Sequence, residues 1–189
     1  AGCAGVAVAK PEVAVDAVLG NRFDRWQGRA DVRAARVAAS AGAVQGVTGA
    51  ARFSGGPART EGTVRLMAAG FAGSGARGER LGIDGRYRVG RGGWAFDGSA
   101  SAARIDPGAQ RRQQVAALAR AGAGTPVAPL LDRLGAALLR ATQGVSAEAI
   151  VAAAGRGNAG AVTIARAGLS APTGASVSLS GGEGVRYAW

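Results

Sequence analysis

Between Leu81 and Ile105 apolar and polar positions alternate almost without interruption. Leu81, Ile83, Gly85, Tyr87 and Val89 fall on one side, and Gly82, Asp84, Arg86 and Arg88 on the other. After Gly90-Arg91-Gly92-Gly93 the rhythm resumes. Trp94, Phe96, Gly98, Ala100 and Ala102 stand opposite Asp97, Ser99 and Ser101. Successive side chains of a strand point to opposite faces, so this period of two predicts a β-hairpin with an apolar and a wet face. Its turn carries glycines, which reach the positive φ that hairpin loops require. A hairpin alone is marginal in water, so the stretch predicts a longer sheet with its apolar side covered.

The same rhythm runs through most of the chain. Val13 and Val15 alternate with Glu12, Ala14 and Asp16, and Gly20-Asn21-Arg22 reads as a turn. Trp26, Gly28, Ala30 and Val32 alternate with charged and polar residues. Ala51 and Phe53 precede a Gly55-Gly56-Pro57 turn. Gly62, Val64, Leu66 and Ala68 form the next apolar set, and a bend near Gly70 leads to a strand over 71–77. Only 37–47 gives no assignable register. Beyond residue 144, strands are expected over 148–154 and 161–169, at Val177 and Leu179, and over Val185, Tyr187 and Trp189. Short apolar runs joined by glycine or polar turns predict an antiparallel meander. Glycine recurs on the apolar side of these strands, flanked by polar residues, at 28, 62, 85 and 98. Such glycines mark a close approach or a bend that lets the sheet curl, or else they reflect Gly/Ala drift.

A change to helical spacing sets 106–144 apart. Asp106 is placed to cap a first helix with Pro107 at its first position, and Val115, Leu118 and Ala119 give it a narrow stripe. Thr125-Pro126 opens a second helix. There Val127, Leu130, Leu131, Leu134 and Leu138 share one side, a packing stripe suited to covering the face or end of the sheet. The expected organisation is a β-meander over 1–105, an inserted helical pair over 106–144 and a continuation of the meander over 145–189. From the start at Ala1 and the finish on an apolar alternation, the chain is expected to be a piece of a longer one.

Composition sharpens this. Among 189 residues there are 33 glycines and nine aromatics, so the apolar face is built mainly of small side chains. The formal net charge is +11, and Lys10 is the only lysine among 23 basic residues. An excess of this kind points to an anionic partner, or to a wet face kept soluble by arginine. The charge is spread, with no basic block longer than Arg111-Arg112, so no nucleic acid is expected as a partner. Cys3 is the sole cysteine, which excludes an internal disulfide. Histidine is absent, which removes the commonest general base and metal ligand. No phosphate-binding loop or nucleophile elbow occurs. The chain reads as a non-enzyme with no catalytic residues, no metal and no cofactor.

In texture the chain resembles bacterial AsmA-like envelope proteins, in particular the YdbH-like branch. The resemblance rests on 81–89, on 94–98, on the helical stretch 125–134 and on the terminal 179–189. It implies a long curled, taco-like sheet enclosing an apolar groove. It further implies a periplasmic segment of an inner-membrane-anchored protein that shields and conducts phospholipid acyl chains toward the outer membrane. An outer-membrane lipoprotein or other partner would meet its distal end. Under that implication Leu66, Leu81, Ile83, Tyr87, Val89, Trp94 and Phe96 would line the groove. The alternatives are a structural or adhesive β-domain of a secreted or surface protein, and an arginine-based polyanion binder.

Overall fold

The computed structural model describes residues 2–3, 6–40, 42–73, 75–108, 113–114, 117, 128–141, 143–157, 159–180 and 183–189. The strands are β1 Gly2–Cys3, β2 Val6–Ala9, β3 Glu12–Leu19, β4 Trp26–Ala39, β5 Gly42–Gly56, β6 Arg59–Gly73, β7 Ala76–Gly90 and β8 Gly93–Pro107. After helix α1, Ala128–Ala141, come β9 Val145–Arg156, β10 Ala159–Ser170, β11 Ser176–Leu179 and β12 Val185–Ala188. All twelve belong to one antiparallel sheet. From β4 to β10 each strand pairs with the next in the chain, as the alternation predicts. β3 lies on β4, and β11 and β12 both lie on β10. The order does not close on itself, and the extensive contacts join hydrogen-bonded neighbours alone.

The result is an open, uncurled single layer, not the taco-like trough the resemblance implies. Nor is the apolar side covered. Among the described residues the only buried ones are Ala34 and Ala68, at 7% and 9% exposure, and Gly108 just past β8. A helix pair is not found either. The single continuous described helix is α1, and of the first expected helix beyond Gly108 only Gln113, Gln114 and Ala117 are described. Val115, Leu118, Ala119 and Val127 lie outside the described residues, as do the side chains of Leu131, Leu134 and Leu138. Leu130 is 66% exposed, so it does not pack on the sheet.

Asp106 and Pro107 belong to β8 rather than to a helix start. The Asp106 carboxylate accepts the Gly144 N–H at 2.9 Å and lies 3.7 Å from Arg77. Ile105 pairs with Val145, so the chain leaves and re-enters the sheet at one point between β8 and β9. No turn ends the strand near Gly70, because β6 continues to Gly73, although its pairing lapses just before Gly70.

A crease crosses the strands. Lys10, Gly46, Arg80 and Arg104 have φ of 49°, 60°, 50° and 49°. Pairing lapses beside them: between Ala34 and Arg36 on β4, Gln45 and Thr48 on β5, Ala68 and Gly70 on β6, and around Arg80 and Arg104 on β7 and β8. Gly46 adopts this left-handed geometry freely. Each non-glycine residue there costs about 1 kcal/mol. The crease resets the alternation. Before it the apolar residues of β4 are even-numbered, ending at Ala34; beyond it Val37 takes over. Val37, Val44 and Phe71 then line a shallow depression together with Leu81, so the apolar face continues across the break. This reset is why 37–47 defeats a simple period of two.

Candidate functional site

Antiparallel register fixes which side chains share a face. One transverse row reads Leu19, Trp26, Gly55, Thr60, Val89, Trp94, Gly155, Gly160 and Trp189. Two residues further along the strands the next row reads Ala17, Gly28, Phe53, Gly62, Tyr87, Phe96, Ala153, Val162 and Tyr187. Seven of the nine aromatics therefore stand in two adjacent rows at one end of the apolar face. An eighth, Phe23, sits in the β3–β4 turn at that same end and is 67% exposed.

The glycines between them are seats for the rings. The Trp26 indole crosses β5 at Gly55 and donates from Nε1 to Thr60 Oγ1 on β6 at 3.0 Å. Tyr87 crosses β6 at Gly62, and its hydroxyl reaches the Arg52 carbonyl on β5 at 3.5 Å. A Cβ on Gly28 would come within 2.7 Å of Phe53 Cζ. On Gly155 it would come within 2.8 Å of Trp94 Cζ2, and on Gly160 within 2.6 Å of Trp189 Cζ2. The glycine recurrence thus holds rings down along the sheet instead of curling it. Tyr187 and Trp189 also stack, with centroids 6.1 Å apart. Burial pushes the Tyr87 phenol above its ordinary pKa.

The opposite face carries charges of both signs. Cross-strand neighbours pair Glu12 with Arg33, Asp16 with Arg29, Glu61 with Arg88, Arg65 with Asp84 and Arg86 with Asp97. Arg29 also binds Asp31 at 2.7 Å, and this partner raises its pKa. Opposite charges across strands stabilise pairing modestly. The charge on this face is therefore mixed in sign. Further arginines of this charged face stand at the hairpin-turn end. There Arg59, Arg88 and Arg156, on the face opposite the rings, line an open depression of about 710 Å³ together with Arg91. Glu61, ion-paired with Arg59, is the carboxylate nearest them in register.

The seven expected groove residues all lie on the apolar face. Leu66 pairs with Ile83, Tyr87 with Phe96, and Val89 with Trp94, while Leu81 stands opposite Ala68. No groove encloses them: Ile83 is 39% and Val89 50% exposed on an open layer. Acyl-chain conduction along a curled track is accordingly set aside. The alternation signalled the shared face. The ring-and-glycine rows were missed because they need cross-strand register, although the recurring glycines were their visible trace. No cluster of metal-ligating side chains occurs among the described residues, and no helix there is long and apolar enough to cross a membrane. Comparison with protein-family models, curated proteins and solved structures finds no match for this chain.

Proposed function

We propose that this chain is an adhesive β-sheet module of a secreted or surface protein, which attaches to a partner surface through its apolar face. One observation carries the reading: that face is continuous over nine strand positions and lies open to solvent. The chain exposes 12916 Å², whereas a compact protein of its mass exposes about 8,200 Å². An open, contiguous apolar face marks an interaction site. Attachment of this kind needs no reactive group, in keeping with a sequence that offers none.

The test is a charge placed at the centre of the face. Ile83→Glu should abolish retention on a phenyl-derivatised surface and reduce binding of a hydrophobic fluorescent dye. Far-UV circular dichroism should stay that of the parent, because Ile83 borders solvent and not a core. A parent chain that neither binds dye nor is retained would overturn the reading.

A further inference from the structure

We infer that the two edges of the sheet bind each other in successive copies, so that a second copy of this chain adds head to tail and extends the layer. This goes beyond attachment through the apolar face and does not depend on it. Among the described residues, β3 pairs only with β4, and β11 and β12 only with β10. Their outer edges therefore present unpaired N–H and C=O groups, a template for another strand. Natural sheets blunt such edges with lysine, proline or a charge on the apolar side, and none of these occurs within β3, β11 or β12. Nine of the seventeen large apolar side chains exposed among the described residues belong to these edges, counting Trp189 beside β12. Pairing would cover them.

Register fixes how the edges meet. Eight antiparallel steps separate β3 from β12, so the two strands run the same way. The transverse rows are level from one edge to the other. The row of Asp16 ends at Arg186, that of Val15 at Val185 and that of Leu19 at Trp189. A copy set alongside with its rows aligned therefore brings residues 15–19 against residues 185–189 one for one, in parallel pairing. Apolar meets apolar on one face, and on the other Asp16 meets Arg186 of the partner copy. Neither of these charges has an ion-pair partner among the described residues of its own chain, and opposite charges on neighbouring strands favour pairing. Two β3 edges together would line one seam with the carboxylates of Glu12 and Asp16 from both copies, and two β12 edges would oppose their Arg186 side chains. Charge thus selects the head-to-tail contact. The level rows also argue against the chain sealing its own edges, because a closed barrel needs its strands staggered.

The experiment is sedimentation velocity on the whole chain over a range of concentrations. Species should grow past the dimer as concentration rises, because a head-to-tail contact leaves an edge free at each end. Val15→Lys puts a charge on the apolar side of the β3 edge. It should weaken association at least tenfold and leave the circular dichroism unchanged, since Val15 is 61% exposed. Asp16→Asn and Arg186→Gln should each weaken it about threefold, and together no more than either alone, because they form one pair. Cross-linking gives the register. Neighbouring strands lie about 4.8 Å apart, within disulfide reach. With Cys3→Ser in every chain, a mixture of Val15→Cys and Val185→Cys chains should oxidise to a mixed dimer, and neither chain alone should dimerise. Several results would overturn the inference: a parent that stays monomeric, a Val15→Cys chain that cross-links to its own kind, or a chain carrying both cysteines that cross-links within itself. Ile83→Glu separates the two readings. It should remove attachment through the apolar face yet leave assembly and cross-linking intact, and loss of assembly in this variant would show that copies meet through their faces instead. A parent that is monomeric but retained on the phenyl surface would leave the adhesive reading standing, and one that assembles but is not retained would defeat that reading alone.

Discussion

At the scale of single residues, what decides this surface is where side chains are missing. Gly62 lies between Phe53 and Tyr87 in register, and a Cβ there would run into the Arg52 carbonyl. Gly62→Val should therefore lower stability by about 1–3 kcal/mol, the usual cost of overpacking, and a denaturant midpoint measures it. Trp26→Phe keeps a ring over Gly55 but loses the bond to Thr60, so the expected loss is about 1 kcal/mol. Tyr87 brings a pH dependence with a definite sign. Its folded pKa lies above the unfolded value, so the unfolded chain loses the phenolic proton first. Its contribution is intact below about pH 10 and declines as pH rises from there through the folded pKa. Urea midpoints on either side of that range should fall with pH, and Tyr87→Phe should flatten the fall. The recurring glycines were legible in the sequence. Their purpose was not, because a glycine's partner across the sheet depends on register, which one strand does not contain.

At the scale of elements, hairpins and faces could be read directly, because a period of two leaves few choices. Gly90-Arg91-Gly92-Gly93 makes the expected turn, and β7 and β8 carry the expected faces. The misreadings fall where a local signal had a competing use. Asp106-Pro107 has the chemistry of a helix start, yet the carboxylate holds Gly144 and Pro107 closes β8. Asp106→Ala should lower stability by about 1 kcal/mol in a thermal melt, since this charge-assisted bond is only part-buried. Arg80 gives the sharper test. With φ at 50° it is strained where glycine is not. Arg80→Gly should be neutral or stabilising by up to about 1 kcal/mol, whereas Arg80→Val should destabilise by more than about 1 kcal/mol. Equal destabilisation by both would show that the backbone there is not left-handed in solution.

For the whole molecule, alternation determined which residues share a side but not whether the layer bends. Curvature comes from bulges and register offsets that strands acquire only in company. The expected trough and the observed open sheet place Leu66, Ile83 and Phe96 on the same face, so the sequence pattern did not separate the two. The net charge of +11 was similarly ambiguous until register showed arginines and carboxylates paired across neighbouring strands. What remains is a slab with one oily side, which carries the rings, and one ionic side.

The line of left-handed residues from Lys10 to Arg104 has a mechanical consequence. Where consecutive strands omit their cross-links at the same level, the slab is scored like folded card. Hydrogen exchange should find two plates of protected amides separated by a quickly exchanging seam, each plate opening as its own cooperative unit. The longer plate carries the tryptophans. A load applied at that end would flex the seam before it peeled any strand from its neighbour.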